Sequence, residues 1–124
     1  MDMKTVIALL GLTVFTAFAV KDKGEALYGT WQGAYGMNDE VKNAWVVLGS
    51  NNNMEFYDGD LKPENKISGT YTLLGDTAIV FTYKKFGKQQ VIMEGNLNRS
   101  KNFVDGSWES NDHLYGSFFL QKQR

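Results

Sequence analysis

Phe103-Val104-Asp105-Gly106-Ser107-Trp108-Glu109-Ser110-Asn111-Asp112-His113-Leu114-Tyr115-Gly116-Ser117-Phe118-Phe119-Leu120 is the stretch whose reading decides the fold. The cluster Ser110-Asn111-Asp112 has the composition of a turn. On either side of it the chain repeats glycine, serine, large aromatic: Gly106-Ser107-Trp108, then Gly116-Ser117-Phe118. Side chains alternate faces along an extended chain, so the glycine and the aromatic share one face and the serine points the other way. Two such runs joined by a turn form an antiparallel hairpin.

The same pattern recurs upstream as Gly29-Thr30-Trp31, Gly69-Thr70-Tyr71 and Gly95-Asn96-Leu97. Extended outward, it predicts strands over 29–35, 44–48, 54–57, 67–73, 77–84, 90–97, 103–109 and 114–122, after one helical turn within 21–27. Asp58-Gly59-Asp60, Gly75-Asp76 and Phe86-Gly87-Lys88 mark turns between them. The connections are too short for crossover helices, so neighbouring strands pair antiparallel. The expected fold is all-β, an eight-stranded antiparallel up-and-down barrel, since closure removes both open edges of such a meander. A two-sheet sandwich is the alternative.

Alternation assigns Trp31, Gly33, Tyr35, Ile67, Tyr71, Leu73, Val91, Met93, Leu97, Val104, Trp108, Leu114, Phe118 and Leu120 to the interior. Gln32, Ser68, Thr70, Thr72, Gln90, Glu94, Asn96, Ser107, Ser117 and Gln121 fall outside. The inward glycines read either as corners of a small coiled barrel or as the frame of a cavity.

A short turn followed by Gly29-Thr30-Trp31 at the start of the first strand, ahead of an eight-stranded meander, resembles the calycin superfamily of lipocalins, avidins and fatty-acid-binding proteins. The resemblance implies a ligand-holding barrel whose first tryptophan sits at the closed end, with Arg99 or Arg124 as its partner. Avidin's polar biotin contacts on the first strand fall here on Gly33 and Met37, which offer no side-chain hydrogen bond, so the resemblance does not extend to biotin.

The chain begins with the pattern of a signal peptide. Lys4 precedes an uncharged run over 5–20, and Ala17-Phe18-Ala19 supplies small residues at the −3 and −1 positions of a cleavage site. The run is short for a membrane span of about twenty residues. The expected organisation is a signal peptide over 1–19 and a lipocalin-like β-barrel domain over 20–124, exported to the periplasm or outside the cell, with no membrane attachment after cleavage. Polar outward faces and a terminus ending Gln121-Lys122-Gln123-Arg124 argue against an outer-membrane barrel.

Thirteen Lys and Arg against fourteen Asp and Glu give a formal charge of −1, with no basic stripe, so no nucleic-acid partner is expected. The absence of cysteine excludes disulfides, thiolate metal sites and a cysteine nucleophile. Ser110, Asp112 and the only histidine, His113, lie too close in one turn to form a triad. Asp58, Asp60 and Glu64 lack the full calcium-loop pattern. Glu94, Asp105 and Glu109 read as solvated surface carboxylates, and Asn98-Arg99-Ser100 is formally a glycosylation sequon. No catalytic residue, metal or cofactor is expected.

Two binding surfaces remain. Trp31, Tyr35, Tyr71, Met93, Trp108 and Phe118 are the expected ligand-binding residues for a small, uncharged apolar molecule, with Tyr35, Tyr71 and Tyr83 offering hydroxyls. No lysine or arginine appears among the assigned inward positions, which disfavours an acidic head group in the interior. Outside, Phe103, Tyr115 and Phe119 form a patch expected to be covered either by residues 21–28 folding back or by a homodimer or other protein partner. On that alternative the barrel is filled and the protein is an interaction or inhibitor module. The signal-peptide reading predicts that the exported protein begins at Val20; intact-mass measurement checks this, and a species retaining residues 1–19 would show an uncleaved anchor.

Overall fold

The computed structural model describes residues 24–37 and 39–124; the predicted signal peptide over 1–19 lies outside them. A 3-10 turn, Glu25–Leu27, leads into eight strands. These are β1 (Gly29–Met37), β2 (Glu40–Leu48), β3 (Asn53–Asp58), β4 (Lys66–Leu74), β5 (Ala78–Lys85), β6 (Gln89–Leu97), β7 (Phe103–Ser110) and β8 (Tyr115–Lys122), with a second 3-10 turn at Pro63–Asn65 before β4. Each strand pairs antiparallel with the next, and β8 pairs back onto β1, so the sheet is a closed barrel and the sandwich alternative falls.

The turns follow local chemistry. Asn51 and Asn52 both adopt left-handed φ between β2 and β3, where short hairpin loops favour asparagine. Phe86 and Gly87 do the same between β5 and β6, and Phe86 holds this unfavourable conformation for an aromatic while 90% exposed.

The seam between β1 and β8 requires glycine in both directions. A methyl on Gly33 would overlap the carbonyl oxygen of Phe119, and one on Gly116 would overlap that of Gly36. Gly69, Gly95 and Gly106 likewise meet neighbouring-strand atoms within the space a Cβ would need. The inward glycines therefore mark close strand approach, and the view that they leave free space inside is corrected.

The interior is filled. Trp31, Val46, Phe56, Ile79, Phe81, Met93, Val104 and Leu120 are each at most 2% exposed. Phe56 stacks on Tyr83 at 4.3 Å, and Phe81 meets Phe118 edge-on at 6.1 Å. One end is sealed by Leu27, which is 1% exposed; its carbonyl accepts the Trp31 indole N–H at 2.9 Å, and Lys122 Nζ donates to Ala26 O at 2.7 Å. Lys122 thus places a cation at this end. Residues 24–28 run to this end, with Leu27 inserted into the barrel.

Two other expectations change. Residues 36–43 were expected to include a loop, but β1 runs to Met37, which pairs with Glu40 of β2. Polar Glu40 and Lys42 break the hydrophobic alternation because the inward register there opens onto water. Leu114, assigned to the interior, stands 37% exposed at the rim just before β8. Gly116→Ala is expected to destabilise by ~3 kcal/mol through backbone overlap, whereas exposed Ser107→Ala should stay within about 0.5 kcal/mol; urea melts of the two variants check the pair.

Candidate functional site: the barrel mouth

The end of the barrel opposite Leu27 is built from the last inward residue of each odd-numbered strand and the first of each even-numbered one. Alternation brings Met37 on β1, Glu40 and Lys42 on β2, Asp58 on β3, Lys85 on β5 and Gln89 on β6 to this end. Below them lie Tyr35, Tyr83, Val91 and Trp108. Between these layers is a recess of about 180 Å³, with Leu114 on its rim. An apolar cavity of roughly 150 Å³ accommodates benzene, so the recess holds one ring-sized group.

The recess has an aromatic wall and a polar side. Tyr35 packs edge-on against Trp108 at 5.8 Å and against Phe56 at 6.0 Å. Trp108 is fixed by donating its indole N–H to Gly36 O at 3.1 Å. The Tyr35 hydroxyl donates to Asp58 Oδ1 at 2.6 Å, and Lys85 Nζ lies 2.9 Å from Asp58 Oδ2 and 5.9 Å from the centre of the Tyr35 ring. The side chains of Lys85 and Asp58 are only 18% and 23% exposed, so this pair is better shielded than a surface bridge.

These contacts set the titration of the site. Burial works against the charge on Asp58, but hydrogen bonds from Tyr35 and Lys85, with the charges of Lys85 and Lys42, outweigh it and hold the carboxyl below the usual range. Burial first, then the hydrogen bond to Asp58 and its charge, push the Tyr35 phenol far above its ordinary value. Tyr83 is raised chiefly by burial, with Tyr35 and Asp58 adding to it. Tyr35 therefore stays a neutral hydrogen-bond donor beside an ionised Asp58.

Among the expected ligand-binding residues, the structure brings Tyr35 and Trp108 together in the recess. Trp31, Tyr71, Met93 and Phe118 are 1–4% exposed inside the core. Tyr71 spends its hydroxyl on Gly49 O at 2.9 Å. The expectation of no inward cation is corrected by Lys42 and Lys85, which alternation on β2 and β5 carries to the mouth. Extending the period of Ile79, Phe81 and Tyr83 by one step would have found Lys85. Asp58 was hidden because Asp58-Gly59-Asp60 reads as a turn.

Elsewhere, Phe103 and Phe119 stack at 6.2 Å, while Tyr115, 74% exposed, lies four residues along β8 from Phe119, about 13 Å away. Ser110 Oγ donates to the Asp112 carboxylate and accepts from Leu114 N at 3.2 Å, which makes it a turn-holding group. Asn98 Oδ1 accepts from Asn102 N and Phe103 N, closing the β6–β7 turn. Among the described residues no group of three or more His, Cys, Asp or Glu could hold a metal.

No protein-family model matches the chain, and no curated protein matches it. Several solved structures share the fold. A redesigned β-barrel aligns with a TM-score of 0.61 at 19% identity, covering 82% of this chain and 96% of its own. A de novo designed fluorescence-activating β-barrel gives 0.60 at 16%, covering 84% and 100%. Another redesigned barrel, solved bound to DFHBI, gives 0.60 at 16%, covering 81% and 98%. At these identities the likeness is one of fold: an eight-stranded antiparallel β-barrel.

The titration of the mouth has two expected consequences. Asp58 is depressed in the folded state, so its contribution to stability is present above the unfolded carboxylate pKa, about 3.9, and is lost as pH falls below that through the folded value. Tyr35 and Tyr83 are raised, so their contribution is present below the unfolded phenol pKa, about 10, and is lost as pH rises beyond it. Urea melts of wild type and Asp58→Asn should differ by a constant amount from about pH 5 to 9, with the gap closing below about pH 4. A gap that widened on acidification would contradict the assignment.

Proposed function

We propose that this chain is an exported, lipocalin-like binding protein of the calycin type. It holds a small, mostly apolar, uncharged ligand at the barrel mouth and performs no chemistry on it. The observation that carries this reading is the recess of about 180 Å³, walled by Tyr35, Val91 and Trp108 beside the Tyr35–Asp58–Lys85 network. Small-molecule sites combine apolar walls with a few fixed polar groups in this way. Because the core below is packed, the ligand's ring enters the recess and the rest of the molecule stays at the rim.

The rim charges favour a neutral ligand. Lys42 and Lys85 are balanced by Glu40 and Asp58 around the same opening, so no net field offsets the desolvation of a charged guest. Lys85 has ammonium protons beyond the one directed at Asp58, and these can meet a carbonyl or hydroxyl at the edge of the ligand. The DFHBI-bound barrel of the same fold supports the reading, since it too takes a small molecule. The 3-10 turn and Trp31 at the sealed end support the calycin relation, and the N-terminal signal pattern supports export.

A second reading, an interaction module that works through its outer wall, is favoured by one observation. Phe103 and Phe119 stack beside a hollow of about 650 Å³ on that wall.

Fluorescence titration with DFHBI and a panel of uncharged aromatic dyes, together with thermal shift, tests the mouth. Binding should change tryptophan emission, and Leu114→Arg, at a half-exposed rim position, should weaken it at least about tenfold, some 1.4 kcal/mol. No response across the panel, or binding undiminished in Leu114→Arg, would sink this reading and leave the second.

A further inference from the structure

We propose that the outer wall formed by β2, β1 and β8 is a self-association face, occupied by a second copy of this chain. It lies on the outside of the barrel and stands or falls apart from the ligand reading.

The outward positions show an uneven distribution of charge. β3 carries Glu55 outward, β4 Lys66, β5 Lys84, β6 Glu94, and β7 Asp105 and Glu109. β8, β1 and β2 are adjacent round the barrel and carry no charged residue at any outward position, in a chain that is 22% charged overall. The charges within these strands, Glu40, Lys42 and Lys122, belong to the inward register at the two ends.

Exposed apolar groups concentrate on the same face. Val41 is 75% exposed, Tyr115 74% and Phe119 44%. Val41 and Tyr115 lie near the starts of β2 and β8; of the other large apolar residues with comparable exposure, Leu61, Phe86 and Leu114 sit in loops and Leu74 ends β4. Aromatic enrichment with depletion of charge is the compositional mark of an interface centre. The face also has relief at its β7 edge: a hollow of about 650 Å³ beside Phe119 and Val41, lined also by Phe103, Asn96 and one carboxylate, Asp105. A knob and a hollow on one surface allow it to fit its own copy.

The charge pattern favours a second copy over a foreign partner. A two-fold interface is made by the same patch on both subunits, so single-sign charge in it would crowd against its own kind. With no charge at the outward positions of β8, β1 or β2 and only Asp105 at the edge of the hollow, the face largely avoids that cost and offers little to steer an oppositely charged protein. Three strands about 4.8 Å apart, each spanning roughly 27 Å, give a footprint of about 400 Å², and including β3 and β7 raises this to about 650 Å². That lies below the ~800 Å² per partner of a standard stable interface, so the dimer is weak and concentration-dependent. Acidic Asp105, Glu109 and Glu55 flank the face, so salt should strengthen the association by screening them.

Sedimentation of the purified protein between about 5 μM and about 1 mM tests this in the range expected of a small interface. The expected result is monomer at the low end and dimer at the high end, with association tighter at high salt. Val41→Lys and Tyr115→Lys, both at largely exposed positions, should abolish the dimer while circular dichroism melts remain unchanged. Thr72→Lys, outward on β4, should leave the dimer intact. Monomer throughout the range, or a dimer that survives Val41→Lys and Tyr115→Lys together, would overturn the proposal.

Discussion

Everything in this molecule depends on closing a sheet of short strands onto itself at the seam between β1 and β8. Gly33 approaches the Phe119 carbonyl and Gly116 approaches the Gly36 carbonyl so closely that neither position has room for a Cβ. Closure removes the edges that an eight-stranded meander would otherwise expose. It also fixes how much space remains inside. At this size a barrel has room for its own side chains or for one small ligand, and here the side chains take nearly all of it.

The division of labour along the barrel axis follows. At the sealed end, Leu27 plugs the opening and its carbonyl satisfies the Trp31 indole. Across the middle, stacked and edge-on aromatics fill the section. At the far end a ring of inward residues becomes polar, where interior register meets water. Asp58 and Lys85 can be half-shielded there because each satisfies the other and Tyr35 adds a donor. The recess exists because the aromatic filling stops at Tyr35, Tyr83 and Trp108, one layer below the rim.

The repeated glycine, polar, aromatic pattern made the strand order and the inward face legible, because alternation leaves only one face for Trp31, Tyr71, Trp108 and Phe118. The mouth was harder to read. Hydrophobic alternation is the signal for a strand, and it fades where inward positions are Glu40, Lys42, Asp58, Lys85 and Gln89. The glycines misled for a related reason: a missing side chain in sequence looks like space, but a neighbouring backbone occupies it. Of the expected ligand contacts, Tyr35 and Trp108 lie at the transition between core and rim, while the other four are closed off by packing.

The account therefore rests on one contrast, between an open, ring-sized recess at Trp108 and a sealed core at Trp31. The chain has three tryptophans, and Trp45 lies on the outer register of β2. Two-dimensional NMR of the indole N–H signals during titration with a bound aromatic probe measures the contrast directly. The account predicts that the Trp108 signal shifts with occupancy while the Trp31 signal stays fixed. A Trp31 shift as large as that of Trp108 would contradict it, because the ligand would then be entering the core.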